Sequence, residues 1–139
     1  MFSSSAKPLI MGILNITPDS FFDGGRFNNV TSALIQVEKM LSDGADIIDI
    51  GGESTRPYSI SVSSGEQVHR VMPIIKAIRT HLSTTVPISI DTRLSTVAKL
   101  ALAEGANIIN DISGGHNDPK ILKVAADYNY VVFYNDGMY

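Results

Sequence analysis

The sequence predicts an α/β fold of parallel strands alternating with helices, and three observations predict it. The first is a set of short, nearly continuous apolar runs rich in Ile and Val: DIIDIG, PISID, NIINDI and YVVFY. Runs of that kind are expected where helices cover a parallel sheet. The second is that apolar residues between the runs recur at helical spacing, so strand and helix alternate along the chain. The third is an internal echo. Gly44-Ala45-Asp46-Ile47-Ile48-Asp49 returns as Gly105-Ala106-Asn107-Ile108-Ile109-Asn110, 61 residues later, a distance of two strand–helix units. Each copy has a helix-ending Gly, a two-Ile core, and an Asp or Asn where the strand leaves the sheet. Equivalence between alternate strands suits a closed barrel, whose alternate strands fill common layers. A doubly wound sheet gives those strands no reason to match.

The elements follow in order. Residues 9–15 form the first strand, which delivers Asn15 into the polar stretch Thr17–Gly25 with its aromatic doublet Phe21-Phe22 and its Asp23-Gly24-Gly25 turn. Thr31 is expected to cap a helix through Ala33, Leu34, Val37, Met40 and Leu41, ended by Gly44. Strand two is Asp46–Gly51. A loop leads to a helix from Glu66 through Val68, Val71, Ile74, Ile75, Ile78 and Leu82, with Pro73 inside it as a kink or a first-turn marker. Strand three is Pro87–Asp91. Ser95 is expected to cap a helix carrying Val97, Leu100, Ala101 and Ala103 to Gly105. Strand four is Asn107–Ile112. Asp118-Pro119 opens the last helix, with Ile121, Leu122, Val124 and Ala125, before strand five at Tyr130–Tyr134. Five strands and four helices are a little more than half of a (β/α)8, or TIM, barrel, which takes about 250 residues.

Size and charge narrow the class. A chain of 139 residues supports a single domain with one core. Net charge is −3, from 11 basic and 14 acidic residues with no basic run, so a nucleic-acid or anionic-membrane surface is not indicated. Without Cys there is neither disulfide nor thiolate chemistry. The N-terminus has no signal-peptide pattern and no stretch approaches a membrane span, so a cytoplasmic protein is expected.

The polar residues that interrupt this pattern fall at strand carboxyl ends: Asn15, Asp49 with Gly51–Pro57, Asp91-Thr92-Arg93, and Asn110-Asp111. In a parallel barrel those positions converge on the face that carries the site. Asp91 and Asn110 together suit a planar heterocycle, because Asn both donates and accepts while a carboxylate accepts from two N–H groups. Thr55 and Arg56 follow the Gly51-Gly52 turn, and a guanidinium there can clamp a phosphate. Asn15 with Asp19 offers oxygen ligands to a hard cation such as Mg²⁺. Two readings stand for several of these. Asp49 and Asp111 either face a ligand or satisfy nearby loop groups. Arg56 either binds phosphate or pairs with Glu53 or Asp19. Arg93 belongs either to the rim or to the helix surface. His69 and His81 are expected at the surface, and His116 in a loop.

These motifs resemble one family. MGILNITPDSFFDGG (Met11–Gly25), GGESTRP (Gly51–Pro57), ISIDT (Ile88–Thr92) and IINDI (Ile108–Ile112) are similar, in that order and spacing, to dihydropteroate synthase. The related pterin-binding domain of methyltetrahydrofolate methyltransferases shares the barrel but is less similar through the first two motifs. The resemblance implies condensation of 6-hydroxymethyl-7,8-dihydropterin diphosphate with p-aminobenzoate, releasing pyrophosphate in folate synthesis. It implies that Asn15 ligands Mg²⁺, that Asp91 and Asn110 hold the pterin, and that Thr55 and Arg56 lie by the diphosphate. Asp19 and Phe22 would belong to a first loop closing over p-aminobenzoate. Ionised Asp91 and Arg56 would then be catalytic, meeting the charges that develop as pyrophosphate leaves.

The pattern departs in two places. The family's fifth strand ends in a Met-His-Met-x-Gly-like motif, and the aligned residues are Phe133-Tyr134-Asn135-Asp136-Gly137, with Tyr134 at the His position. The later Asp-Pro-Gly-x-Gly-Phe-Gly-Lys and Ser-Arg-Lys-like motifs have no counterpart in the 139 residues. The expectation is therefore a truncated barrel with raw edges, marginal alone or completed by a second chain. Two alternatives are an inactive fragment with partial pterin binding and a small complete binding domain.

Overall fold

The computed structural model describes residues 7–16, 29–53, 60–128 and 131–134. They form strands β1 (Met11–Asn15), β2 (Ile47–Gly51), β3 (Ile88–Asp91), β4 (Ile108–Asp111) and β5 (Val131–Tyr134). The helices are α1 (Asn29–Ser42), α2 (Ser64–Ala77), α3 (Ser95–Glu104) and α4 (Lys120–Tyr128), and α2 runs on into a π-helical turn, Ile78–Leu82. All strand pairs are parallel and the order is β1-β2-β3-β4-β5. A doubly wound sheet reverses its strand order at a switch point. No reversal occurs here, so the sequential order expected of a barrel is what forms.

Register separates the two faces of the sheet. Leu14, Ile48, Ile50, Ile88, Ile90 and Ile109 point to the helices and share one core with Val37, Val71, Ile75, Ala101 and Ile121. The opposite face carries a lower row, Ile13–Asp49–Ser89–Ile108, and an upper row, Asn15–Gly51–Asp91–Asn110. Ile47 and Ile108 are buried on this second face and stand outside the helix-side core. Ile13 there is 59% exposed, beside the sheet edge at β1.

Several local expectations are corrected. Thr31 lies inside the first turn of α1, which begins at Asn29. The second helix starts at Ser64 rather than Glu66, because the Ser63 hydroxyl accepts from the Glu66 N–H and caps it. Pro73 neither ends nor restarts it: the ring is exposed and the helix continues through. Ser95 is the first residue of α3 and not its cap. Its N–H donates to Asp118 Oδ2 at 2.8 Å, while Asp118 Oδ1 accepts from Lys120 N–H, so one carboxylate serves the N-termini of α3 and α4. The buried face of α3 is Val97, Ala98, Ala101 and Leu102, and Leu100 and Ala103 are exposed. Strands two to five each begin one residue later than the sequence suggests.

A further structural centre was not foreseen. Arg79, in the π-helical turn, donates to the carbonyls of Gly105, Ser83 and Val86 and to Asn107 Oδ1. Asn107 Oδ1 also accepts from Ile88 N–H. The guanidinium thus ties α2, the β3 entry and the β4 entry together at the amino ends of the strands, away from the polar row. Gly105, at φ +126°, brings its carbonyl to this arginine in a backbone conformation that other residues rarely adopt.

Candidate functional site

The upper row delivers Asn15, Gly51, Asp91 and Asn110 to the carboxyl ends of four adjacent parallel strands. Asn15 is exposed, whereas Asp91 and Asn110 are half-buried. Gly51 explains how Asp91 fits. A Cβ at Gly51 would stand 3.2 Å from Asp91 Cβ and 3.3 Å from its Oδ2, so the carboxylate occupies space that a side chain on β2 would take. Gly52 is held equally close to α2, where a Cβ would meet the Gln67 backbone at 3.1 Å. The glycine pair therefore seats a carboxylate and a helix.

Asp49 is held by a side chain of the neighbouring row rather than by backbone or loop groups. It is 2% exposed, and its Oδ1 accepts from Asn110 Nδ2 at 3.2 Å. These are the matched positions of the sequence echo, joined across β3. Parallel strands lie about 4.8 Å apart, so a contact between β2 and β4 needs a small residue on the strand between them. Ser89, in register with Asp49, is that residue. Among the described residues its buried Oγ has no hydrogen-bond partner of ordinary geometry.

Three carboxylates surround Asp91, and their charge shows. Burial pushes the Asp91 carboxyl up to about 7, with the negative charges of Asp49, Glu53 and Asp111 adding to the rise. Burial also raises Asp49, opposed by the Ser89 hydroxyl and the Asn110 amide. Near neutral pH the ligand-free carboxyl is therefore divided between its protonated and ionised forms. Groups that donate N–H bonds to it, or bring positive charge, favour the ionised form.

Asp111, the last residue of β4, serves the loop that follows it. It is fully buried, with Oδ1 accepting from the Ser113 N–H and hydroxyl and Oδ2 from Gly115 N–H, which shapes the turn after β4. Arg93 belongs to the rim and not to the helix surface. Its Nε and Nη2 reach the two oxygens of Glu53 at 3.1 and 3.3 Å, and Nη1 donates to Asn117 Oδ1. Glu53 Oε2 also accepts from Val62 N–H, so this carboxylate is already engaged by partners other than Arg56. Thr92, behind the rim, donates its hydroxyl proton to the buried Gln67, whose amide donates to Val62 O. The sequence signal for the Glu53–Arg93 pair was faint: opposite charges next to two candidate motifs. Nothing in the sequence pointed to Gln67. His69, His81 and His116 are exposed as expected.

Asp19, Phe22, Thr55 and Arg56 lie outside the described residues, as does the expected first loop. The described residues hold no cluster of three or more His, Cys, Asp or Glu that would cage a metal. Asn15 alone fits a less demanding role. An exposed amide oxygen at the strand end suits Mg²⁺, which takes one or two protein ligands and fills its shell with water and phosphate oxygens.

Fold and site together define a parallel α/β-barrel protein whose polar groups gather at the carboxyl ends of its strands. The chain belongs to the pterin binding enzyme family, matched over residues 11–137. It is 52% identical over 127 residues to the dihydropteroate synthase of Bacillus subtilis, covering 91% of this chain and 44% of that protein. It is 47% identical over 128 residues to a mitochondrial folate synthesis bifunctional protein of Arabidopsis thaliana, covering 91% and 23%. Among solved structures, a Clostridium difficile dihydropteroate synthase crystallised in the presence of pteroic acid superposes with a TM-score of 0.89 and 46% identity, covering 95% of this chain and 49% of the other. A Xanthomonas albilineans dihydropteroate synthase with 4-aminobenzoic acid gives 0.84 and 40%, covering 91% and 45%. The chain thus spans less than half the length of each of these relatives. Among the described residues no helix is long and apolar enough to cross a membrane.

Proposed function

We propose that the chain acts in dihydropteroate synthesis, joining 6-hydroxymethyl-7,8-dihydropterin diphosphate to p-aminobenzoate with release of pyrophosphate. One observation carries the reading. Asp91 and Asn110 stand side by side at the strand ends of a barrel that is 52% identical to a dihydropteroate synthase. A carboxyl and an amide, on a sheet face that also carries the buried Ile47 and Ile108, match the N–H and carbonyl edge of a pterin.

In this proposal Asp91 and Asn110 bind and orient the heterocycle. Pterin N–H groups shift Asp91 to its ionised form, which then faces the carbon that becomes electron-poor as the diphosphate departs. Arg56, with Thr55 beside it, meets the charge on the leaving diphosphate. Asp19 and Phe22 cover p-aminobenzoate, whose amine attacks without a strong general base. Mg²⁺ at Asn15, when bound, would offset negative charge on the diphosphate. The strands and diphosphate-gripping groups that this chain does not contain would come from a longer product or from a second chain. A cytoplasmic location is part of the same proposal.

The test is pyrophosphate release in the presence of both substrates and Mg²⁺, by the chain alone and with a co-expressed segment carrying strands six to eight of a relative. The proposal expects turnover in at least one of these, abolished by Asp91→Asn. No turnover in either refutes it and favours a fragment that only binds pterin.

A further inference from the structure

We infer that Asp49 is a positioning residue that fixes which way the Asn110 side-chain amide faces, and so which hydrogen-bonding group Asn110 offers to a ligand. The inference rests on the proposed role of Asn110 in pterin recognition, but its structural part can be tested separately.

An Asn amide can rotate by half a turn and exchange its oxygen for its nitrogen with little change in shape. An exposed Asn at a strand end would sample both orientations. Asn110 cannot do so freely, because its Nδ2 meets Asp49 Oδ1 at 3.2 Å. An ionised carboxylate only accepts. The reversed amide would set Oδ1 against that carboxylate, two acceptors in a buried place, with a hydrogen bond lost. Asp49 is 2% exposed, so water does not compete for its oxygen. Ser89, a small residue in register with Asp49, leaves room for the contact across β3. With one Nδ2 N–H committed, Oδ1 is turned away from Asp49. Beside the Asp91 carboxyl, Asn110 then presents a fixed acceptor, which selects a ligand N–H at that position. The sequence echo acquires a purpose here: its Asp and Asn copies form the two halves of this lock.

The test uses the 139-residue chain, isotope-labelled, with 6-hydroxymethylpterin as the probe. A through-hydrogen-bond coupling from Asn110 Nδ2 to the Asp49 carboxyl carbon is expected in the wild type. Asp49→Leu should abolish that coupling and weaken probe binding about tenfold, the effect of one lost directional contact. Asp49→Asn keeps the shape but allows the pair to reverse, so its loss should be smaller, with two sets of Asn110 amide signals. If Asp49→Leu does not fold, the wild-type coupling and the doubled amide signals of Asp49→Asn decide. No coupling in the wild type overturns the inference, as does a folded Asp49→Leu that binds the probe within twofold of wild type. A coupling present in a chain that binds no pterin sustains the lock and refutes the pterin reading instead.

Discussion

Asp91 makes the chain less stable as pH rises, and the size of the effect follows from its surroundings. Its carboxyl moves from 3.8 to about 7 on folding. A folded state that holds a proton more tightly than the unfolded state loses stability as that proton leaves. The contribution is therefore intact below about pH 4 and is lost as pH rises toward 7 and slightly beyond. Between those limits one such group gives a slope of about 1.4 kcal/mol per pH unit, or roughly 4 kcal/mol in all. That is a large share of the 5–15 kcal/mol typical of a folded domain. Asp91→Asn removes the titration and keeps the shape. The assay is urea unfolding at a series of pH values from 4 to 8, followed by circular dichroism because the chain has no Trp. The wild type should lose stability steadily across that range. The variant should lose less, retaining only the smaller contribution of Asp49, and should be the more stable protein at pH 8. Parallel pH profiles for the two proteins would refute the reasoning, since they would mean that burial and the neighbouring carboxylates do not hold Asp91 protonated.

Three other outcomes are expected. Arg79→Ala should destabilise the fold by about 3 kcal/mol, because several carbonyls and Asn107 lose their donor at once; the urea midpoint measures it, and a change below about 0.5 kcal/mol would contradict the clasp. Arg93→Ala should cost about 1 kcal/mol, a modest figure because the guanidinium is 36% exposed while Glu53 keeps its Val62 N–H; the same midpoint should show that loss largely absent at high salt. Gly51→Ala should displace Asp91, whose Cβ would lie 3.2 Å from the new methyl; the Asp91 carboxyl resonance should titrate at a changed pH, and an unchanged titration would show that the close approach has no consequence.

The strand ends were legible in the sequence because polar residues there break otherwise apolar β-branched runs, and no folding rule asks for them. Alternation and the Gly44/Gly105 echo were enough to place β2 and β4 as equivalent strands, and the hydrogen bond between Asp49 and Asn110 shows what the equivalence does. Other features stayed hidden for physical reasons. The caps of α2 and α3 depend on which side chain reaches which N–H, and Asp118 serves α3 from 23 residues away. The α3 face was misjudged because its residues are small and apolar nearly all round, so periodicity had little contrast: Leu100 looked like core and is 43% exposed. Arg79 read as an ordinary charged helix residue, since nothing local reveals that carbonyls from two strand entries converge on it. The protonation of Asp91 depends first on its burial and then on Asp49, Glu53 and Asp111 arriving from three different segments, which only the fold brings together.

In the proposed function Asp91 and Asn110 hold the pterin. The most direct measurement is a titration of the labelled chain with 6-hydroxymethylpterin, following amide shifts in wild type, Asp91→Asn and Asn110→Ala. Saturable shifts centred on Gly51, Asp91 and Asn110, weakened at least tenfold in both variants, are the predicted result. Shifts centred elsewhere, or equal affinity in all three proteins, would contradict it.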